Sequence, residues 1–172
     1  MSGQANTNIW LEMLHFPLQG RSQKPRQQGL TMVIDKGLGL GELRDLLMTA
    51  GDYIDFIKLG FGTPALYSGT LLEEKITLAK SFGVDIYPGG TFLEIAVLQN
   101  KLLEYIHTAG RLGFTAIEVS DSTIRMSPEV RASAISEARK LGLKVLTEVG
   151  KKLPGNKISV AGYIEQIRQD LE

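Results

Sequence analysis

Lysines and carboxylates gather where five short apolar runs of this chain end. The runs give way to Asp35-Lys36, Lys58, Gly89-Gly90-Thr91, Glu118-Ser120-Asp121 and Glu148-Lys151-Lys152. Ammonium groups brought from separate strands to one rim suit an anionic, multiply charged ligand. Carboxylates at the same rim suit a divalent cation, which takes oxygen donors, or ion pairs with neighbouring lysines. The two readings of Glu118 stand level, because a glutamate inside Ala116-Ile117-Glu118-Val119 needs a partner of one kind or the other once buried. In residues 146–152, strand alternation puts Glu148, Gly150 and Lys152 on one side and Val149 and Lys151 on the other. Glu118 and Ser120 share a side in the same way. A lysine that shares a cavity with a carboxylate can bind an anion or deliver a proton. A solvated lysine pair at a frayed strand end is the plainer alternative.

Glycines follow two of the runs directly, in Gly60-Phe61-Gly62-Thr63 and Gly89-Gly90-Thr91. Glycine there lets main-chain N–H groups approach a phosphate or carboxylate, although each stretch alone also reads as a tight turn. Gly37-Leu38-Gly39-Leu40-Gly41 lacks the spacing of a dinucleotide fingerprint, which needs two residues before its third glycine. It reads as a loop before a helix. His15 and His107 fall away from the run ends and read as structural.

The elements that must position these groups alternate. Residues 30–34, 54–59, 84–87, 116–119 and 144–149 are short, apolar and rich in β-branched side chains, as parallel strands covered on both faces are. Between them lie 3.6-residue periods: Leu43, Leu46, Leu47 and Ala50 share one helix face, and Val130, Ala134, Ile135, Ala138 and Leu141 share another. Ser127 and Pro128 mark that helix's start and Gly142 its end. Residues 91–113 have room for two helical pieces that break at Gln99-Asn100-Lys101. A last helix, residues 159–171, carries Val160, Ile164, Ile167 and Leu171 as one stripe. The order βαβαβαβαβα fits an open doubly wound sheet or part of a (β/α)8 barrel, whose strand ends would share one rim. Residues 1–28 read as an arm, with Trp10 and Phe16 as apolar anchors, and residues 29–172 as the α/β domain.

The chain has 172 residues, net charge +0 and 43% hydrophobic residues, enough for one domain with a real core. The balanced charge gives no basic stripe for a nucleic acid. With no cysteine, disulfides and thiolate metal sites are excluded. No apolar run approaches the ~20 residues that span a bilayer, and residues 1–8 lack a secretory pattern. A cytoplasmic protein is the expectation.

Taken together, the run ends resemble one family. Lys24-Pro25-Arg26 with Gly29-Leu30-Thr31 and Ile34-Asp35-Lys36-Gly37 resembles the opening of the phosphosulfolactate synthases. So do residues 51–63 (Gly-Asp-Tyr-Ile-Asp-Phe-Ile-Lys-Leu-Gly-Phe-Gly-Thr) and Tyr87-Pro88-Gly89-Gly90-Thr91. Gly113-Phe114 leading to Ile117-Glu118-Val119-Ser120-Asp121, and Thr147-Glu148-Val149-Gly150-Lys151-Lys152, complete the ordered series. Ser122 departs from it, because the family usually has glycine there. The resemblance implies a (β/α)8 barrel of TIM type and a Mg2+-dependent addition of sulfite to phosphoenolpyruvate, giving (2R)-2-phospho-3-sulfolactate. It makes Lys152 the general acid. Chemistry then nominates Lys36, Lys58 and Lys151 for the substrates' phosphate, carboxylate or sulfite, with Gly89, Gly90, Thr91 and Ser120 beside them. It nominates Asp35, Glu118, Asp121 and Glu148 for the metal. About five of eight units are expected in this chain, so a truncated chain, completion by another chain or a non-catalytic oligomeric remnant stand beside the enzyme reading. A barrel aldolase with a Schiff-base lysine is a further alternative. A homo-oligomer is the expected assembly.

Overall fold

The computed structural model describes residues 9–15, 22–152 and 158–172. A short helix, Ile9–Met13 (α1), stands before the alternating part. Strands Met32–Asp35 (β1), Phe56–Leu59 (β2), Asp85–Pro88 (β3), Ala116–Ser120 (β4) and Lys144–Glu148 (β5) follow. Their connections carry Leu40–Ala50 (α2), Gly69–Ser81 (α3), Gly90–Leu98 (α4), Leu102–Leu112 (α5) and Pro128–Lys140 (α6), and Val160–Leu171 (α7) comes last. The α4–α5 break falls where expected, with Asn100 in the left-handed region. Ser127 Oγ accepts from Val130 N–H at 3.3 Å and Pro128 opens α6, so the anticipated cap is present.

All strand pairing is parallel. β1, β2 and β3 form one sheet, with Val33 beside Ile57 and Ile57 beside Ile86. β4 and β5 form a second, with Glu118 beside Leu146 and Ser120 beside Glu148. The sheets meet at a seam between β3 and β4. There Thr115 N–H donates to Ile86 O at 3.2 Å, while Thr115 Oγ1 accepts the Ile86 N–H at 2.9 Å. A side chain takes the place of a ladder partner, and the regular ladder stops. The observed class is therefore α/β with parallel strands, arranged as two adjoining sheets.

One face of each strand carries the core. Ile57, Leu59, Ile86, Ile117 and Val119 are buried against Leu43, Leu47, Ile76, Ile106 and Ala134 of the helices. Alternation sends Met32, Ile34, Phe56, Lys58, Tyr87 and Glu118 to the opposite face. Met32 and Ile34 are 43% and 44% exposed there. The helix-covered face is the drier of the two, although it opens to solvent at Thr147 of β5.

Each strand differs from expectation by one or two residues at one or both ends. β1 starts two residues later than expected and includes Asp35. β5 stops at Glu148, because Gly150 has φ 129° and turns the chain out of the strand. The arm's end is fastened to the body: Arg26 lies 2.9 Å from Asp55 Oδ1, and Asp55 Oδ2 accepts the Thr31 N–H at 2.8 Å. Phe16 lies outside the described residues. The stripe on α7 is real but exposed at Val160, Ile164, Ile167 and Leu171. Among the described residues no helix is long and apolar enough to cross a membrane.

Lys75 of α3 is fully buried, with Nζ 2.7 Å from Asp35 Oδ2, 2.5 Å from Leu38 O and 4.7 Å from the Tyr67 ring centre. Asp35 Oδ1 accepts from Gly37 and Leu38 N–H, both at 2.8 Å. The ion pair thus fixes the β1–α2 loop on α3. Lys75→Ala would strand a buried carboxylate. A loss of about 3–5 kcal/mol in urea unfolding is expected, with partial recovery in Lys75→Met/Asp35→Asn.

Candidate functional site

Parallel pairing brings the carboxyl ends of the strands to one side of each sheet, and the charges meet there. Lys58, near the end of β2, reaches across the seam to Glu118 of β4. Its Nζ lies 2.8 Å from Glu118 Oε1 and 2.7 Å from Oε2. Glu118 Oε2 also accepts the Gly90 N–H at the first turn of α4, where the helix dipole favours negative charge. Position 90 has to be glycine. A Cβ there would stand 2.5 Å from Ser120 Cβ and 3.0 Å from Glu118 Oε2. The same contacts place Glu118 and Ser120 on one side of β4, as alternation predicts. Tyr87 is buried in the row beside Lys58. Burial first, then the charges of Glu118 and Glu148, push its hydroxyl well above the ordinary value of 10.

A second cluster lies at the carboxyl end of β4. Glu94 of α4 is 1% exposed, yet it accepts five hydrogen bonds. Oε1 takes Ser120 Oγ–H at 2.6 Å, Ser122 N–H at 2.7 Å and Ser122 Oγ–H at 2.9 Å. Oε2 takes Thr123 N–H at 3.0 Å and the Thr123 hydroxyl. Burial works to raise this carboxyl, but the donors from Ser120, Thr123 and Ser122 outweigh it and hold Glu94 below its ordinary 4.5. Ser122, the departure from the family pattern, supplies two of the five donors.

The 121–124 loop then meets the end of β5. Lys151 Nζ donates to Asp121 O at 2.6 Å, Ile124 O at 3.0 Å and Asp121 Oδ2, which engages all three of its N–H donors. Lys152 Nζ lies 3.1 Å from Glu148 and is 47% exposed. Arg131 of α6 is buried and grips Asp170 of α7 with two bonds, at 2.6 and 2.7 Å. It also reaches Glu148 O at 3.2 Å and Asp121 Oδ1 at 3.4 Å.

The nominated residues therefore separate. Lys58, Glu118, Gly89 and Gly90 come together, and Thr91 follows them in the first turn of α4. Asp121, Glu148, Lys151 and Lys152 form the neighbouring group. Lys36 stands on the β1 loop, 5.8 Å from the Phe61 ring centre. Several polar groups nominated for ligands are engaged within the protein. The Gly89 N–H goes to Leu59 O at 2.9 Å, and Ser120 and Lys151 are held as above. The four carboxylates nominated for a metal do not converge: Asp35 pairs with Lys75, Glu118 with Lys58, Asp121 with Lys151 and Glu148 with Lys152. Among the described residues no three His, Cys, Asp or Glu side chains gather to hold a metal. Alternation past Glu148 also fails, since Gly150 turns the chain; Lys152 nevertheless returns to Glu148. Glu94, Lys75 and Arg131 were not singled out by sequence. The available signal was a charge inside the apolar run Phe92-Leu93-Glu94-Ile95-Ala96-Val97. A cavity of about 370 Å3 lined by Pro64, Leu72, Phe92, Tyr105 and Phe114 lies among the helices and takes in none of these rim charges.

The family model for (2R)-phospho-3-sulfolactate synthase (ComA) matches residues 19–172. The chain belongs to the phosphosulfolactate synthase family. It is 46% identical over 134 residues to the phosphosulfolactate synthase of Methanothermobacter thermautotrophicus, covering 78% of this chain and 52% of that protein. To the enzymes of that name from Methanocaldococcus jannaschii and Bacillus subtilis it is 43% and 36% identical. Those matches cover 85% and 88% of this chain, and 59% and 60% of the relatives. The chain thus spans between half and three-fifths of the length of these phosphosulfolactate synthases. Among solved structures, an N-acetylneuraminate lyase from Mycoplasma synoviae superposes with a TM-score of 0.44 at 16% identity. It covers 81% of this chain and 50% of that one, and a likeness at that level decides nothing.

Two outcomes follow from the geometry. Gly90→Ala drives Cβ into Ser120 and is expected to cost about 1–3 kcal/mol in urea unfolding. Acid is the second lever. Burial opposes ionisation of Asp55, Glu94 and Asp170, but Thr31 N–H and Arg26, the 120–123 donors, and Arg131 respectively lower each one. The folded state therefore holds fewer protons than the unfolded one. This stabilisation is complete above about pH 5.5, a unit above the unfolded carboxyl values, and is lost as pH falls through the lowered values. Urea midpoints should fall steadily below that pH; a flat profile contradicts the assignment.

Proposed function

We propose that this rim joins sulfite to phosphoenolpyruvate, giving (2R)-2-phospho-3-sulfolactate, and that the five units are part of a (β/α)8 barrel. Membership of the family supports the reaction. The observation that carries it is the set of ammonium groups at the carboxyl ends of different strands: Lys36 after β1, Lys58 on β2 and Lys152 after β5. Two anions that repel each other need such cations to share a site.

The sulfite lone pair attacks the methylene carbon of phosphoenolpyruvate and forms the carbon–sulfur bond. The π electrons move to the carbon bearing phosphate and spread into its carboxylate. Lys152 then donates a proton to that carbon as general acid, and solvent restores the ammonium. Glu148 holds Lys152 at the end of β5. Lys58 keeps one N–H beyond the two contacts with Glu118, and with Lys36 it faces the growing negative charge of the carboxylate. Thr91 and the start of α4 add the positive end of a helix. Lys151, Gly89, Gly90 and Ser120 support these groups from within the protein.

Magnesium fits this arrangement poorly. Asp35, Glu118, Asp121 and Glu148 each face a lysine, so every step is assigned to the chain's own ammonium groups. The exposed α7 stripe supports association with a further copy. Both substrates are small anions of central metabolism, and we place the reaction in the cytoplasm.

The test follows phosphorus by NMR in a mixture of the chain, sulfite and phosphoenolpyruvate. Conversion of the enol phosphate to an alkyl phosphate without free phosphate is expected. Lys152→Ala should lower kcat by about 10²–10⁴-fold while the fold persists. A variant with undiminished turnover removes Lys152 from the chemistry, and no product from the parent chain removes the reaction.

A further inference from the structure

Glu94 poses a physical question that packing alone does not answer. Its neighbours in α4 are almost all apolar, and a leucine at position 94 would avoid burying a charge. The five donors it collects are neutral hydroxyl and main-chain groups from Ser120, Ser122 and Thr123. A carboxylate in that setting persists only while its donors are all in place.

The answer lies in the direction of two peptide planes. In a trans peptide the N–H and C=O point opposite ways. The 121–122 peptide gives its N–H to Glu94 Oε1 at 2.7 Å and receives Lys151 Nζ on its carbonyl, Asp121 O, at 2.6 Å. The 122–123 peptide gives its N–H to Glu94 Oε2 at 3.0 Å and receives the Lys152 N–H on Ser122 O at 2.9 Å. Successive planes thus stand between one buried negative charge and the two successive lysines. Each peptide dipole is aligned by Glu94 and presents its carbonyl to the lysine segment, and aligned hydrogen bonds strengthen one another.

We propose that Glu94 is a positioning residue for Lys151 and Lys152, acting through the 121–122 and 122–123 peptides. The link to turnover rests on the reading of Lys152 as proton donor. Side-chain hydroxyls of Ser120, Ser122 and Thr123 fix the carboxylate; the peptides transmit its placement. Lys151 then locks the loop from the far side, and the main chain at Lys152 is held so that its side chain emerges beside Glu148.

The test measures amide hydrogen exchange by NMR on the full chain, together with steady-state kinetics with sulfite and phosphoenolpyruvate. In Glu94→Gln, the Ser122, Thr123 and Lys152 amides should exchange at least about tenfold faster, while those of Ile57 and Ile86 keep their rates. kcat should fall about 10–100-fold, with KM for each substrate changed by less than about threefold, because proton delivery and not ground-state binding is disturbed. Thr123→Val removes only a hydroxyl donor and provides a milder case, with about threefold faster exchange at the same three amides. Unchanged Lys152 exchange in both variants overturns the proposal. So does an equal rise at Ile57 and Ile86, which would mark plain destabilisation. If the parent chain forms no product but Glu94→Gln still frees the Lys152 amide, the proposed reaction fails and the positioning stands.

Discussion

Glu118 is 6% exposed at the seam between the two sheets, and a carboxylate so placed has to be matched donor for donor. Lys58 comes to it from β2, and the Gly90 N–H comes from α4. Much else follows from that match. Position 90 can carry no side chain, α4 must begin where it does, and Ser120 is pressed against its first turn. Glu94 then falls one turn further along α4, within reach of the chain leaving β4. The carboxyl ends of β2, β3 and β4 are thereby registered by charge where the main-chain ladder has stopped.

The buried carboxylates solve the same problem in different ways. Asp35 takes a buried lysine and two main-chain N–H groups. Asp55 takes a guanidinium from the end of the arm. Glu94 takes only neutral dipoles, which gives it no cation to lose but makes it demanding in geometry. A buried ion pair is weak evidence for net stability, whereas removal of one partner is costly. These pairs are better understood as devices that fix loops. Asp35 holds the β1–α2 turn, Asp55 the arm, and Glu94 the path from β4 towards α6.

Much of the layout could be read from the sequence because it is local. Five apolar runs separated by helical periods identified the strands, and Ser127-Pro128 marked the start of α6 without any tertiary information. The rim could be read too, since parallel strands leave their end residues little choice of place. What could not be read was the matching of charges across long stretches of chain. Lys75, Glu94 and Arg131 all lie on helices, where a charge is ordinarily assigned to the solvent side. Their burial depends on partners 26 to 40 residues away. The carboxylates nominated for a metal do not gather for the same reason: Asp35, Glu118 and Asp121 each pair with a lysine 30 to 60 residues away, which spacing alone does not reveal. The strand-end lysines illustrate the other limit. Alternation predicted opposite faces for Lys151 and Lys152, but a single positive-φ glycine made the period irrelevant two residues earlier.

The interrupted ladder at Thr115 has a mechanical meaning. Lys58 belongs to the first sheet and Lys152 follows the last strand of the second, so the distance between the proposed charge-receiving cation and the proposed proton donor is a distance between two bodies. The Thr115 bonds and the Lys144–Asp85 ion pair at the foot of the seam, and the Glu118 contacts at its rim, tie the two sheets across that joint. A bound dianion that touched both lysines would act as a strut between the sheets and set their separation.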